Sequence, residues 1–147
     1  MTKAKETVID IADFDTIAAS DRGAEFELKH PSLGKALGVF IKVLGSDSSE
    51  WREHTTANRN KRIQASFKAQ RGIVKSVDTP TAEEIDADAV LLLTRCTVGW
   101  RTGDVPTMKY RGENLEFNAM NCQRVYTEQP WVEKQVDEFI GDISNFL

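Results

Sequence analysis

Apolar and polar positions alternate in the first third of the chain and recur at helical spacing through most of the rest. Ala24-Glu25-Phe26-Glu27-Leu28-Lys29 alternates apolar with charged residues, the period of a strand with one buried face. His30-Pro31-Ser32-Leu33-Gly34-Lys35 supplies turn chemistry, with Pro31 and Gly34 as breakers. Leu37, Val39, Ile41 and Val43 then alternate with Gly38, Phe40, Lys42 and Leu44, and their β-branched content predicts a second strand. Two strands and a short loop predict an antiparallel hairpin over 24–45. Ahead of it, Val8 to Ala19 predicts a weakly helical or irregular lead that ends at the turn Ser20-Asp21-Arg22-Gly23.

After the hairpin the period changes to that of helices. Gly45-Ser46-Asp47-Ser48 offers side-chain oxygens to cap a helix from about Ser49 to Gln70, with Gly72 as its stop. Its apolar residues are few (Trp51, Ala57, Ile63, Ala65, Phe67 and Ala69), so it buries a narrow stripe and leaves a long basic face in solvent. Thr79-Pro80-Thr81-Ala82-Glu83-Glu84 is a dense helix start: a Pro near the first turn, Thr81 as cap, Glu84 at the capping-box position, and carboxylates at the positive end of the helix dipole. Ile85, Ala89, Leu92, Leu93 and Cys96 carry that helix to about Thr97. Gly99 is expected to end it, and Trp100 to begin an irregular segment in which Arg101 to Pro106 forms a loop or small hairpin. Asn118 can cap a short helix over Ala119 to Gln129, with Met120, Val125 and Tyr126 facing inward. Pro130 opens a last helix whose Val132, Val136, Phe139, Ile140 and Ile143 make one apolar stripe opposite carboxylates. The pattern predicts an α+β fold: an N-terminal antiparallel β-hairpin or small sheet, then a mainly α-helical C-terminal part. The expected organisation is one domain over 1–147, with a lead at 1–23, the hairpin at 24–45 and a mostly helical part at 46–147.

Composition agrees with one core, because 147 residues at 40% hydrophobic content suffice for one globular core but hardly for two. The net charge of −4 hides a segregation. Between 51 and 75, Arg52, Arg59, Lys61, Arg62, Lys68, Arg71 and Lys75 face the single acid Glu53, so that segment carries +6 and the remainder −10. From Tyr126 onward, Glu128, Glu133, Asp137, Glu138 and Asp142 face only Lys134. A basic middle and an acidic tail can attract each other within a chain or between copies. Arg59, Arg62, Lys68 and Arg71 are therefore the candidate contacts to another copy or to an acidic partner. Nucleic acid is the weaker partner class, since the chain is acidic overall and no aromatic residues interleave with the bases.

Candidate chemistry adds little. Only His30 and His54 would titrate near neutrality, and neither lies beside a Cys, Ser or carboxylate at a dyad spacing. His54 is expected to be solvated and His30 to serve a turn. No phosphate-binding glycine loop, HExxH or CxxC occurs, and a helix start explains Glu83, Glu84, Asp86 and Asp88 more simply than a metal site does. No enzymatic activity, cofactor or metal is expected. Cys96 and Cys122 are unclustered, which fits reduced thiols. No apolar stretch approaches the roughly 20 residues of a membrane helix, and the first residues lack the apolar core of a signal peptide. A cytoplasmic setting is the expectation.

Several of these pieces, in this order, resemble the tail assembly chaperones of long-tailed phages and prophages. The family pattern runs from a short hairpin to a Gly-x-Asp-Ser element and a polar helix, then a helix leading to Gly-Trp. A Phe-Ser/Asn-x-x-Asn element follows, and last a Pro-Trp-x-x-x-Gln-Val/Ile helix ending in Asn-Phe. Here they read Gly45-Ser46-Asp47-Ser48, Gly99-Trp100, Phe117-Asn118-Ala119-Met120-Asn121, Pro130-Trp131 with Gln135-Val136, and Asn145-Phe146-Leu147. The resemblance covers about 24–147, is moderately specific in the C-terminal third and is weak in the first twenty residues. Its main departure is the long, basic segment Gly103 to Arg111. What it implies is a non-enzymatic protein of the host cytoplasm during assembly. Copies would coat the tape measure protein and keep it soluble and extended until tail tube protein polymerises around it. Trp131, Val136, Phe139, Ile140, Phe146 and Leu147 are then the candidate client-binding residues, the last two because apolar chain ends are seldom left untied, while Val132, Val136 and Phe139 read first as the stripe of an ordinary core helix. Two other classes stay open: a structural tail component, such as a completion or adaptor protein, and a small nucleic-acid-binding or host-directed regulator.

Overall fold

The computed structural model describes residues 8–72 and 80–147, so that Lys75 of the basic segment and Thr79 of the expected helix start lie outside the described residues. A short 3-10 turn, Ile11–Phe14, leads into helix α1 (Thr16–Arg22). The Asp15 carboxylate accepts the Ala18 N–H at 3.0 Å to start α1, and Gly23, at φ +80°, ends it by donating its N–H to Ala19 O. The expected turn Ser20 to Gly23 is thus the last helical turn and its cap, its polar residues serving a helix end as readily as a loop.

Strand β1 (Ala24–Lys29) pairs antiparallel with β2 (Ala36–Val43), with Ala24 opposite Val43 and Phe26 opposite Ile41. This register collects Phe26, Leu28, Ile41 and Val43 on one face and leaves Glu25, Glu27, Phe40 and Lys42 on the other. His30 holds the loop by accepting the Ser32 and Leu33 N–H groups on Nδ1 at 3.1 and 3.0 Å, the turn role expected of it. Helix α2 (Ser49–Gln70) starts at Ser48, whose hydroxyl accepts the Trp51 N–H. Helix α3 (Ala82–Cys96) starts at Thr81, whose hydroxyl accepts the Glu84 N–H.

The main departures from the expected architecture follow α3. No irregular segment begins at Trp100; β3 (Thr97–Thr102) pairs antiparallel along β2, with Trp100 opposite Ile41, and completes a sheet of order β1-β2-β3. Gly99 is a strand residue opposite Lys42, beside the register shift at Lys42/Val43, where a glycine fits a bulge. After the tight turn at Thr102 to Val105, β4 (Thr107–Tyr110) and β5 (Glu113–Glu116) form a second antiparallel pair. Arg111 and Gly112 both take positive φ, 50° and 82°, the requirement of a two-residue hairpin turn matched to strand twist. The long basic segment at 103–111 is thus a turn, a strand and the start of a hairpin turn.

Two helices close the fold. Asn118 accepts the Asn121 N–H to cap α4 (Ala119–Glu128), and Pro130 stands at the start of α5 (Pro130–Ile140). One hydrophobic cluster joins the inner sheet face (Leu28, Ile41, Val43, Trp100) to α3, α4 and α5. Burying each such aliphatic side chain contributes about 1.5–3 kcal/mol. Val125 and Tyr126 face inward as expected, whereas Met120 is 80% exposed because it lies on the face of α4 opposite the buried Cys122, Val125 and Tyr126. The fold is the expected α+β class, with three strands rather than two in the main sheet and a second small sheet inside the mainly helical part.

Candidate protein-docking surface

Helix α2 has two halves with different surroundings. Its start is anchored: Asp21 Oδ1 accepts the Ser49 N–H at 2.8 Å, and half-buried Trp51 packs against the core. On α3, Asp88 accepts from Asn58 Nδ2 at 2.9 Å and meets His54 Nε2 at 3.0 Å, while Arg95 reaches Glu50 at 3.0 Å and Glu53 at 3.4 Å. His54 is therefore half-buried and paired, not the solvated residue its polar surroundings suggested. Spacing within one helix cannot show that Asp88 stands across from it.

Beyond Asn58 these anchors stop. Arg59, Lys61, Arg62, Lys68 and Arg71 have no ion-pair partner among the described residues, and no acid interrupts 59–71. Ile63 and Phe67, one helical turn apart on one face, are 46% and 55% exposed between those bases. On the adjoining side, Lys61, Arg62 and Ala65 face Pro80, Glu84 and Ile85 across an open cleft of about 370 Å³. The result is a basic ridge with an apolar crest, and Arg59, Arg62, Lys68 and Arg71 all belong to it.

The candidate client-binding residues of the last helix lie elsewhere. Val136 and Ile140 are fully buried and Phe146 is 4% exposed, all within the chain's own core. Phe139 stacks on Phe26 at 4.6 Å between ring centroids and meets Phe146 edge-on at 5.6 Å. Trp131 is half-buried, and Leu147 alone of the six is exposed. The stripe faces inward because β1, α3 and α4 pack against it, and a stripe for the core and a stripe for a partner read alike in sequence. Gln135 is also occupied: its amide donates to Lys29 O at 2.8 Å and accepts the Lys29 N–H at 3.0 Å.

Other polar groups are satisfied within the fold. On the outer sheet face, Arg101 contacts Glu25 at 2.6 and 3.0 Å and lies 4.1 Å above the Phe40 ring. The Arg101 guanidinium holds the Glu25 carboxyl below its ordinary range. Glu128 accepts from Tyr110 at 2.6 Å and pairs with Arg111 and Arg124, which lowers its pKa in turn. Between α3, α4 and α5, Glu83, Asp86 and Glu133 line an acidic cleft of about 650 Å³. There burial, and next the nearby Asp137 and Asp86, push the Glu133 carboxyl up. Cys96 and Cys122 are fully buried and unpaired; burial raises the Cys96 thiol to about 11 and pushes Cys122 up as well. Among the described residues no group of three or more His, Cys, Asp or Glu is placed to hold a metal, and no helix is long and apolar enough to cross a membrane. Compared with known proteins, the chain matches no family model, no curated protein and no solved structure.

Proposed function

We propose that this chain is a non-enzymatic assembly chaperone that sheathes a long helical client, acting in the host cytoplasm as the tail assembly chaperones of long-tailed phages do. The client would be the tape measure protein, released when tail tube protein polymerises. The observation that supports this reading is the far half of α2, where Ile63 and Phe67 stand exposed among five bases that lack ion-pair partners among the described residues. Such a ridge suits an amphipathic helix with an apolar seam and acidic flanks, recognised by shape and charge through contacts that can be reversed. On this reading the client contact moves from the last helix to α2.

The test is co-expression with the tape measure protein encoded nearby, followed by co-purification and measurement of the soluble fraction of the long protein. The expected outcome is rescue of solubility, reduced at least tenfold by Ile63→Asp or Phe67→Asp. Both positions are exposed, so both variants should fold. Absence of association, with the chain retained in purified particles, would replace this reading with a structural tail component. Salt-dependent binding to DNA or RNA with no client rescue would replace it with a nucleic-acid-binding regulator.

A further inference from the structure

We propose that copies of this chain associate head to tail, the acidic apolar lead before α1 of one copy seating on the basic ridge of α2 of the next. The inference does not rest on the identity of the client: lead and client would occupy the same ridge in turn, so that copies joined this way keep it covered until a client displaces the lead. Val8, Ile9, Ile11, Phe14 and, in the first turn of α1, Ile17 are between 46% and 91% exposed, the densest run of exposed apolar side chains among the described residues. Asp10, Asp13 and Asp15 alternate with them and no base occurs from 8 to 17. The segment is locally shaped before any partner arrives, since Asp10 accepts the Ala12 N–H at 2.9 Å and Asp15 the Ala18 N–H at 3.0 Å. A pre-shaped segment loses less conformational freedom on docking.

The ridge is complementary in both respects. Ile63 and Phe67 offer apolar surface to apolar surface, and the bases from Arg59 to Arg71 face three carboxylates that make no ion pair among the described residues. The acidic C-terminal segment, the sequence-level candidate for this role, is less suited to it. Glu128 is engaged by Tyr110, Arg111 and Arg124, Glu138 lies 4.0 Å from Lys134, and the apolar face of α5 is buried.

Position makes the contact intermolecular. The bond from Ser49 N–H to Asp21 roots the lead at the start of α2, whereas Ile63 and Phe67 lie about 20–27 Å further along the helix. The lead's apolar side chains stand in solvent and do not fold back along their own α2. Two complementary surfaces at separate places on one chain make a heterologous contact, which propagates into an open chain or closes as a ring.

Sedimentation velocity and light scattering on the purified full chain, from about 50 to about 500 mM salt, test this directly. The expected result is concentration-dependent association that weakens as salt rises and is lost in both Phe14→Asp and Phe67→Asp, each with unchanged circular dichroism. An equimolar mixture of the two variants should form a 1:1 dimer that does not grow, because each contributes the half the other lacks. A chain monomeric at every concentration, a mixture that stays monomeric, or association lost only on Glu133→Lys in the acidic cleft would overturn the proposal. Phe14→Asp should still support solubility of the client, which separates failure of this contact from failure of the chaperone reading.

Discussion

At position 45 a single methyl group has nowhere to go. A Cβ there would collide with Ser20 Oγ and lie 3.1 Å from Ser20 Cα, and the Gly45 N–H donates to Ser20 O at 3.0 Å. The Ser20 hydroxyl is itself buried without a hydrogen-bond partner among the described residues. Gly45→Ala should therefore cost about 1–3 kcal/mol through overpacking, read from urea denaturation as a lower midpoint at unchanged slope. Ser20→Ala should be neutral or stabilising, because it removes an unsatisfied polar atom. It should rescue Gly45→Ala only in part, since Ser20 Cβ lies 2.8 Å from the added methyl and stays in place. None of this is legible along the chain, where Gly45 reads as the end of a strand and the first residue of the Gly-x-Asp-Ser element. The same holds for Trp100, whose indole N–H donates to Leu115 O at 2.9 Å, and for Thr97. The Thr97 hydroxyl donates to Leu93 O, so in its buried bond to Tyr126 it accepts the phenol O–H.

Among the elements, those with local signals were the legible ones. Alternation gives β1 and β2, the Ser48 and Thr81 caps give the starts of α2 and α3, and Asn118 and Pro130 give those of α4 and α5. Strand β3 is hidden in the sequence because Gly99 reads as a stop and because α3 passes into the strand with no loop between Cys96 and Thr97. Strands β4 and β5 have four residues each, too few to show a period, and their Arg-Gly turn lacks the usual Asn-Gly signature. The edge of β1 shows one element serving another. The Gln135 side chain satisfies both the N–H and the C=O of Lys29, as a neighbouring strand would. Gln135→Leu keeps the bulk and removes both bonds. It should cost about 1–2 kcal/mol, speed hydrogen exchange at the Lys29 amide, and raise aggregation on warming; unchanged exchange at Lys29 would show the clamp to be dispensable.

For the whole molecule, one core fixes what can react and what can bind. Cys96 and Cys122 lie in that core with thiol pKa values raised by burial, so near pH 7–8 both are protonated and shielded. A chromogenic disulfide reagent should therefore titrate no thiol in the native protein and both in denaturant, at a rate set by global unfolding. Rapid labelling of Cys96 alone would instead mark a local opening of α3. The candidate surface was legible only in its charge. A run of bases on a polar helix can be read directly, but the apolar stripe of α5 takes its meaning from the sheet packed against it, and no stripe declares which side will be covered. The way α2 is held has a mechanical corollary. Clamped at Ser49, His54 and Asn58, and with no side-chain hydrogen bond or ion pair to another element beyond Asn58 among the described residues, it is a cantilever. Phe67 lies about 14 Å past the last clamp, so a tilt of roughly 10° at that point sweeps its ring through about 2 Å. The clamped root thus keeps the fold's register while the outer end can follow an uneven surface.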